Sequence, residues 1–183
     1  MADTRVLDTN VLIVASAGDP SSPFPASGSA VEEPVLQHMV LNWLDDFVND
    51  AARLLVLDST WMLMGEYQNK LGSQDFGLMA LLTKMDRQEV VWVMLEADVD
   101  GNAVLPGKIA EAVPDLADRK IVAAVLAAQA RGHSCRLVNA SDTDWLDNQY
   151  ALWEQGIVLE HLLEHEWLRQ RWELKHTLQP GAE

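Results

Sequence analysis

A single cysteine, Cys135, stands in 183 residues, so no disulfide can form within the chain. A lone thiol fits a reducing compartment, and a cytoplasmic location is expected. Cys135 opens an apolar stretch and is expected to be buried and inert. Long apolar runs are also missing: none reaches the roughly 18 residues that a membrane span needs. The opening residues M-A-D-T-R carry no basic leader ahead of an apolar segment, so no signal peptide is expected. Basic residues are scarce, with 13 Lys and Arg against 28 Asp and Glu and a net charge of −15. The shortage is uneven. Residues 1–52 hold one base, Arg5, against eight acids, and residues 139–160 hold five acids and no base. Residues 53–138 are nearly balanced, at nine bases and eleven acids. Such a chain lacks the basic face of a generic polyanion binder. The remaining meanings of the acids are a solvated surface or a cluster that holds cations.

Hydrophobic residues make up 49% of the chain, which marks it as globular. Its length suits one full core. T-R-V-L (4–7), L-L-V-L (54–57), V-V-W-V-M-L (90–95), C-R-L-V-N-A (135–140) and G-I-V-L-E-H-L (156–162) read as strands. The region 17–33, with Pro20, Pro23 and Pro25, reads as a Pro/Ser/Gly loop. Pro34 opens a helix whose apolar stripe is expected along Val35, Met39, Trp43, Phe47 and Ala51. Asp58 and Ser59 are candidate caps for a helix that ends near Gly72, and 73–84 reads as a further helix. An Ala-rich helix follows Pro114 and ends at Gly132, and another begins at S-D-T-D-W. Strands alternating with helices predict an α/β fold: a single three-layer domain with a central parallel sheet flanked by helices. The expected organisation is one domain over 1–163, interrupted by the 17–33 loop, and a C-terminal helical tail over 164–183.

Two motifs test as decoys. D-V-D-G-N (98–102) resembles the start of a calcium loop, but Gly107 stands where the bidentate Glu is required. His161-Leu162-Leu163-Glu164-His165 matches the inverted zinc-protease pattern H-x-x-E-H, which needs a continuous helix. Here it straddles the end of a predicted strand.

The stretch V-L-D-T-N-V-L-I places Asp8 between apolar flanks, where a carboxylate is costly to desolvate without a partner. Asp8 follows the first strand directly, and Asp142 and Asp144 follow the fourth. Asp118 opens the long helix before the fourth strand, and Glu66 lies two turns into the helix after the second. Residues at the carboxyl ends of parallel strands form sites in such folds. Converging carboxylates repel one another unless protons or a cation intervene. Mg²⁺ and Mn²⁺ prefer such oxygen ligands.

V-L-D-T-N-V-L-I, G-E-Y, A-D-R-K-I-V-A-A and L-V-N-A-S-D-T-D-W, in that order, resemble the motifs of the PIN-domain nucleases over about residues 4–163. The resemblance implies a metal-dependent nuclease, chiefly an endoribonuclease, that hydrolyses phosphodiesters with Mg²⁺ or Mn²⁺. Asp8, Glu66, Asp118 and Asp142 would be its acidic quartet, and Asp144 a fifth metal ligand. Asp115 is a lower-ranked choice in the third motif, because Asp118 precedes the Ile121, Ala123 spacing. Thr9 and Asn10 would orient Asp8 or contact the scissile phosphate, and Arg119 and Lys120 would contact the substrate backbone. RNA is the implied substrate, with DNA open. Many bacterial members are toxins of toxin–antitoxin pairs, which implies an antitoxin-like protein partner, and dimerisation is common in the family. No membrane partner is expected. This chain departs from the shorter toxins in its 17–33 loop and its tail. A catalytically silent PIN-like module that binds RNA or protein is the alternative, and the quartet weighs against it. The geometric expectation is that Asp8, Glu66, Asp118 and Asp142 converge within metal-sharing distance.

Overall fold

The computed structural model describes residues 2–178. The part of the expected tail beyond Leu178 lies outside the described residues, as does Met1. Five strands form one parallel sheet: β1 (Asp3–Leu7), β2 (Arg53–Asp58), β3 (Val90–Val93), β4 (Ser134–Asn139) and β5 (Val158–His161). Their order is β3-β2-β1-β4-β5. The chain builds outward from β1 to β2 and β3, then crosses back to lay β4 and β5 on the other side. That reversal makes the gap between the carboxyl ends of β1 and β4 a topological switch point, where α/β sheets open a crevice.

The helices are α1 (Thr9–Gly18), α2 (Pro34–Asn49), α3 (Met62–Lys70), α4 (Phe76–Asp86), α5 (Gly107–Ala112), α6 (Leu116–Ala130), α7 (Asp144–Glu154) and α8 (Arg169–Thr177). A 3₁₀ turn spans Ala26–Gly28 and a π-helical turn spans Glu164–Leu168. Helices cover both faces, so the expected single three-layer α/β domain is borne out. No described helix is long and apolar enough to cross a membrane.

Several local expectations shift. Residues 9–18, unassigned from sequence, form α1. Val11, Leu12, Val14, Ala15 and Ser16 are all buried, so this helix is enclosed on most sides and shows no amphipathic period. The buried stripe of α2 is Gln37, Val40, Leu44, Phe47 and Val48, whereas Val35 is 72% exposed. The expected stripe over Val35 and Met39 is therefore out of phase. Gln37 explains part of this, since its Nε2 donates to Val31 O at 2.7 Å inside the packed loop. The short helix α5 also went unpredicted.

Close approaches hold α1 in place. A Cβ on Gly77 would stand 2.6 Å from the carbonyl oxygen of Leu12, so only glycine lets α4 lie this near α1. Ser16 Oγ accepts from Gly77 N at 2.8 Å and donates to Leu12 O at 2.7 Å. At the other end of α4, Lys84 is fully buried. Its Nζ donates to Asp50 O, Arg53 O and Glu89 Oε2 at 2.8, 2.9 and 2.7 Å. The ammonium is thereby saturated, as a buried charge requires. Cys135 is buried, as expected, and burial pushes its thiol up to about 11.

Candidate functional site: the carboxylate crevice

Asp8 ends β1 and begins α1. Its backbone N donates to Val138 O at 2.9 Å, continuing the ladder with β4 by one residue. Its Oδ1 accepts from Asn10 N at 3.2 Å and so caps α1. Its Oδ2 accepts from the indole Nε1 of Trp145 at 2.5 Å. Asp8 is only 6% exposed. Its partners are thus neutral N–H groups; no Arg or Lys pairs with it among the described residues. Burial, with Asp142 and Glu66 nearby, pushes its carboxyl up to about 7 against the Trp145 bond.

Asn10 fixes the crevice. Its Oδ1 accepts from Ala140 N at 2.8 Å and Ser141 N at 3.1 Å, tying α1 to the loop after β4. Asn139 shapes the same loop: Oδ1 accepts from Asp142 N at 3.0 Å, and Nδ2 donates to Asp142 O at 2.9 Å. Asp142 is half-buried, and its carboxyl is raised by burial first and then by Asp144. Its Oδ1 accepts from Asp144 N at 2.9 Å.

Glu66 reaches in from α3. Thr9 Oγ1 donates to its Oε1 at 2.8 Å. Lys120 Nζ lies 2.5 Å from its Oε2, an ion contact whose angle leaves that buried oxygen without an aligned hydrogen bond. Tyr67, the next residue, donates its hydroxyl to Leu7 O at 2.6 Å and anchors α3 on the end of β1. Asp118 stands in the first turn of α6. Burial raises its carboxyl to about 7, reinforced by Asp8, Asp142, Asp115 and Glu66 in that order. Asp115 caps α6 by accepting from Ala117 N at 2.8 Å, and is exposed.

Three sequence-derived site residues are engaged elsewhere. Asp144 is exposed and pairs with Lys175 at 2.5 Å. Arg119 Nε donates to Val113 O at 3.1 Å, and its Nη2 to Ala110 O at 3.4 Å, so the guanidinium closes the C-terminal end of α5. The Asn10 side chain bonds the backbone amides of Ala140 and Ser141, although its own N–H orients Asp8 as expected. Asp58 also ends a strand in this row, but its carboxylate is saturated by Thr60 Oγ1, Met62 N and Leu63 N at 2.5, 2.9 and 2.9 Å.

The quartet therefore shares one electrostatic field at the carboxyl edge of the sheet. The tighter expectation of a group sharing one ion is not met: among the described residues, no three His, Cys, Asp or Glu side chains stand close enough together for that. Trp145 and Lys120 hold Asp8 and Glu66 in their present rotamers. The donor set nonetheless suits a hard divalent cation in kind, being all carboxylate oxygen, with two carboxyls raised to about 7.

Sequence reasoning missed Trp145 and Lys120 as partners of the acids. Trp145 carried a weak signal, since it is an aromatic with one polar N–H directly after the acidic D-T-D. The zinc decoy fails on geometry: His161 ends β5, while Glu164 and His165 lie in the π-helical turn. No family model, no curated protein and no solved structure matches the chain.

Proposed function

We propose that the chain is a metal-dependent nuclease, an endoribonuclease of the PIN-like kind, with Asp8, Glu66, Asp118 and Asp142 as its acidic quartet. The observation that carries this reading is the placement of Asp8 at the switch point with Trp145 and the Asn10 amide on its carboxylate, where burial raises it and Asp118 to about 7 and Asp8 raises Asp118 further. Asp8, Asp118 and Asp142 are all raised, chiefly by burial, and carboxyls perturbed together in this way are a mark of sites that handle a cation or a proton.

Asp8, Glu66, Asp118 and Asp142 would hold Mg²⁺ or Mn²⁺. When bound, such an ion supplies charge neutralisation at a phosphate and a lowered pKa for water. Trp145 and the Asn10 amide orient Asp8. Thr9 orients Glu66, and Asn139 fixes the turn that presents Asp142. A carboxyl near pH 7 is matched to accepting a water proton at neutral pH, a role open to Asp118, which makes no hydrogen bond to another side chain among the described residues. Lys120 places an ammonium at the crevice, where it can turn from Glu66 to a phosphate oxygen.

Cleavage of single-stranded RNA, structured RNA and DNA by the wild type and by Asp118→Asn, each with Mg²⁺, Mn²⁺ or chelator, tests the reading. Metal-dependent cleavage by the wild type that is lost in Asp118→Asn is expected. Equal cleavage by both proteins refutes the mechanism. Inactivity of the wild type on all substrates favours the silent binding module.

A further inference from the structure

Trp61 and Trp92 are 49% and 39% exposed, with ring centroids 6.1 Å apart and planes inclined by 49°. Trp61 also has φ 65° and ψ 22°, the left-handed region that disfavours a bulky side chain. Burial does not explain its retention there, since half the ring faces solvent. The surrounding loop imposes the conformation. The buried Asp58 carboxylate grips Thr60 Oγ1, Met62 N and Leu63 N, on both sides of Trp61, and Ser59 N donates to Val93 O at 2.8 Å. Strain held in place by a saturated network, with an aromatic ring presented outward, is a feature of ligand-contacting segments.

The location is informative. The loop leaves the carboxyl end of β2, on the same sheet edge as the carboxylate crevice. Trp61 precedes α3 directly, and Glu66 follows five residues on, about 7 Å along the helix axis. The two segments carry no charged side chain of their own, and Arg131 Nη1 donates to Trp92 O beside them. Residues 59–65 and 90–95 contain no acid or base, in a chain of net charge −15. Met94, 78% exposed, extends the same apolar surface two residues beyond Trp92. A polyanion meets no repulsion at these two segments, and every nucleobase offers a face to an indole.

We infer that Trp61 and Trp92 form a stacking platform for the bases of a single-stranded nucleic acid, which lead its backbone toward the crevice. This rests on the nuclease reading for its direction, but its test does not depend on cleavage. A short fluorescein-labelled oligouridylate and its deoxythymidylate counterpart are titrated with full-length protein in chelator at low salt. Anisotropy reports binding, and quenching of tryptophan emission reports stacking. Trp61→Ala and Trp92→Ala are each expected to weaken binding by about fivefold or more and to reduce the quench, whereas Trp61→Phe retains most of the affinity. Circular dichroism melts confirm folding of each variant, and Trp92→Ala serves where Trp61→Ala fails to fold. Unchanged binding by both folded alanine variants overturns the platform, as does absence of binding by the wild type. Self-association of the wild type that is lost in Trp61→Ala, with oligonucleotide affinity unchanged, also overturns it and assigns the patch to a second copy. Quenching through the tryptophans with no cleavage under any metal leaves the platform standing and removes the nuclease reading. Cleavage with no tryptophan dependence of binding does the reverse.

Discussion

The indole of Trp145 donates to the carboxylate of Asp8 at 2.5 Å, and this bond between α7 and the end of β1 sets where the most buried of the four crevice acids points. Both groups are buried, so water does not replace the bond if it is lost. Trp145→Phe removes the donor with little change in shape. It is expected to cost about 1–3 kcal/mol of stability, measured by urea unfolding at pH 8, where Asp8 carries charge. At pH 5 the folded protein holds Asp8 protonated, and the same substitution is expected to cost less.

The raised carboxyls make stability depend on pH with a definite sign. Asp8 and Asp118 stand at about 7 in the folded chain, against the ordinary aspartate value of 3.8. Between these limits the folded state keeps protons that the unfolded chain has released. Folding is therefore favoured at low pH, and stability falls as pH rises from about 4 through about 7. His161 is lowered by burial and works in the opposite direction, so the comparison is made against Asp118→Asn. Thermal melts of metal-free protein across this range are expected to show a smaller decline in the variant. Near pH 8 Asp118→Asn is expected to melt above the wild type, and a higher melting point of the wild type there would contradict the proposed repulsion.

Lys84 gives a control remote from the crevice. Lys84→Ala strands the half-buried Glu89 carboxylate and two carbonyls, and is expected to cost about 3 kcal/mol. Denaturant titration checks the size. Mn²⁺ affinity, measured under folding conditions, is expected to be unchanged.

Gly77→Ala forces a methyl to within 2.6 Å of Leu12 O, on the helix that Asp8 caps. Helix α4 must shift, at an expected cost of about 1–3 kcal/mol by thermal or urea unfolding. Gly65→Ala, where an added Cβ meets nothing within 4 Å, is expected to be neutral or mildly stabilising in the same assay.

What the sequence revealed follows from how local each signal is. The strands were legible because 54–57, 90–95 and 135–140 are short runs of β-formers bounded by turn signals, and their alternation with helices implied a parallel sheet. Helix α1 was not, because V-L-I-V-A-S is buried on nearly all sides and carries no period. The α2 stripe was misphased because its buried positions include a polar Gln37 that bonds a loop carbonyl. Asp8, Asp142 and Asp118 stand out because strand ends and helix starts are sequence-local features, whereas Glu66, inside a helix, owes its place to the resemblance of G-E-Y. The Trp145 bond to Asp8 spans 137 positions and the Lys120 contact to Glu66 crosses from α6 to α3, so both depend on tertiary register. The turning of Arg119 to the α5 carbonyls was hidden for a related reason, since α5 itself went unpredicted.

The proposal is that Asp8, Glu66, Asp118 and Asp142, which do not share an ion in their present rotamers, close on a divalent cation when it binds, and Mn²⁺ binding tests it most directly. Calorimetric or paramagnetic titration of the wild type at pH 8 is compared with Asp8→Asn, Glu66→Gln, Asp118→Asn and Asp142→Asn. Asp98→Asn is the control, because Asp98 is exposed and accepts from Asp100 N and Asn102 N in a surface turn. The account expects the wild type and Asp98→Asn to bind alike and each of the four crevice variants to bind at least about tenfold more weakly, the loss found on disturbing even an outer support of a metal site. Equal Mn²⁺ affinity across all six proteins would contradict it.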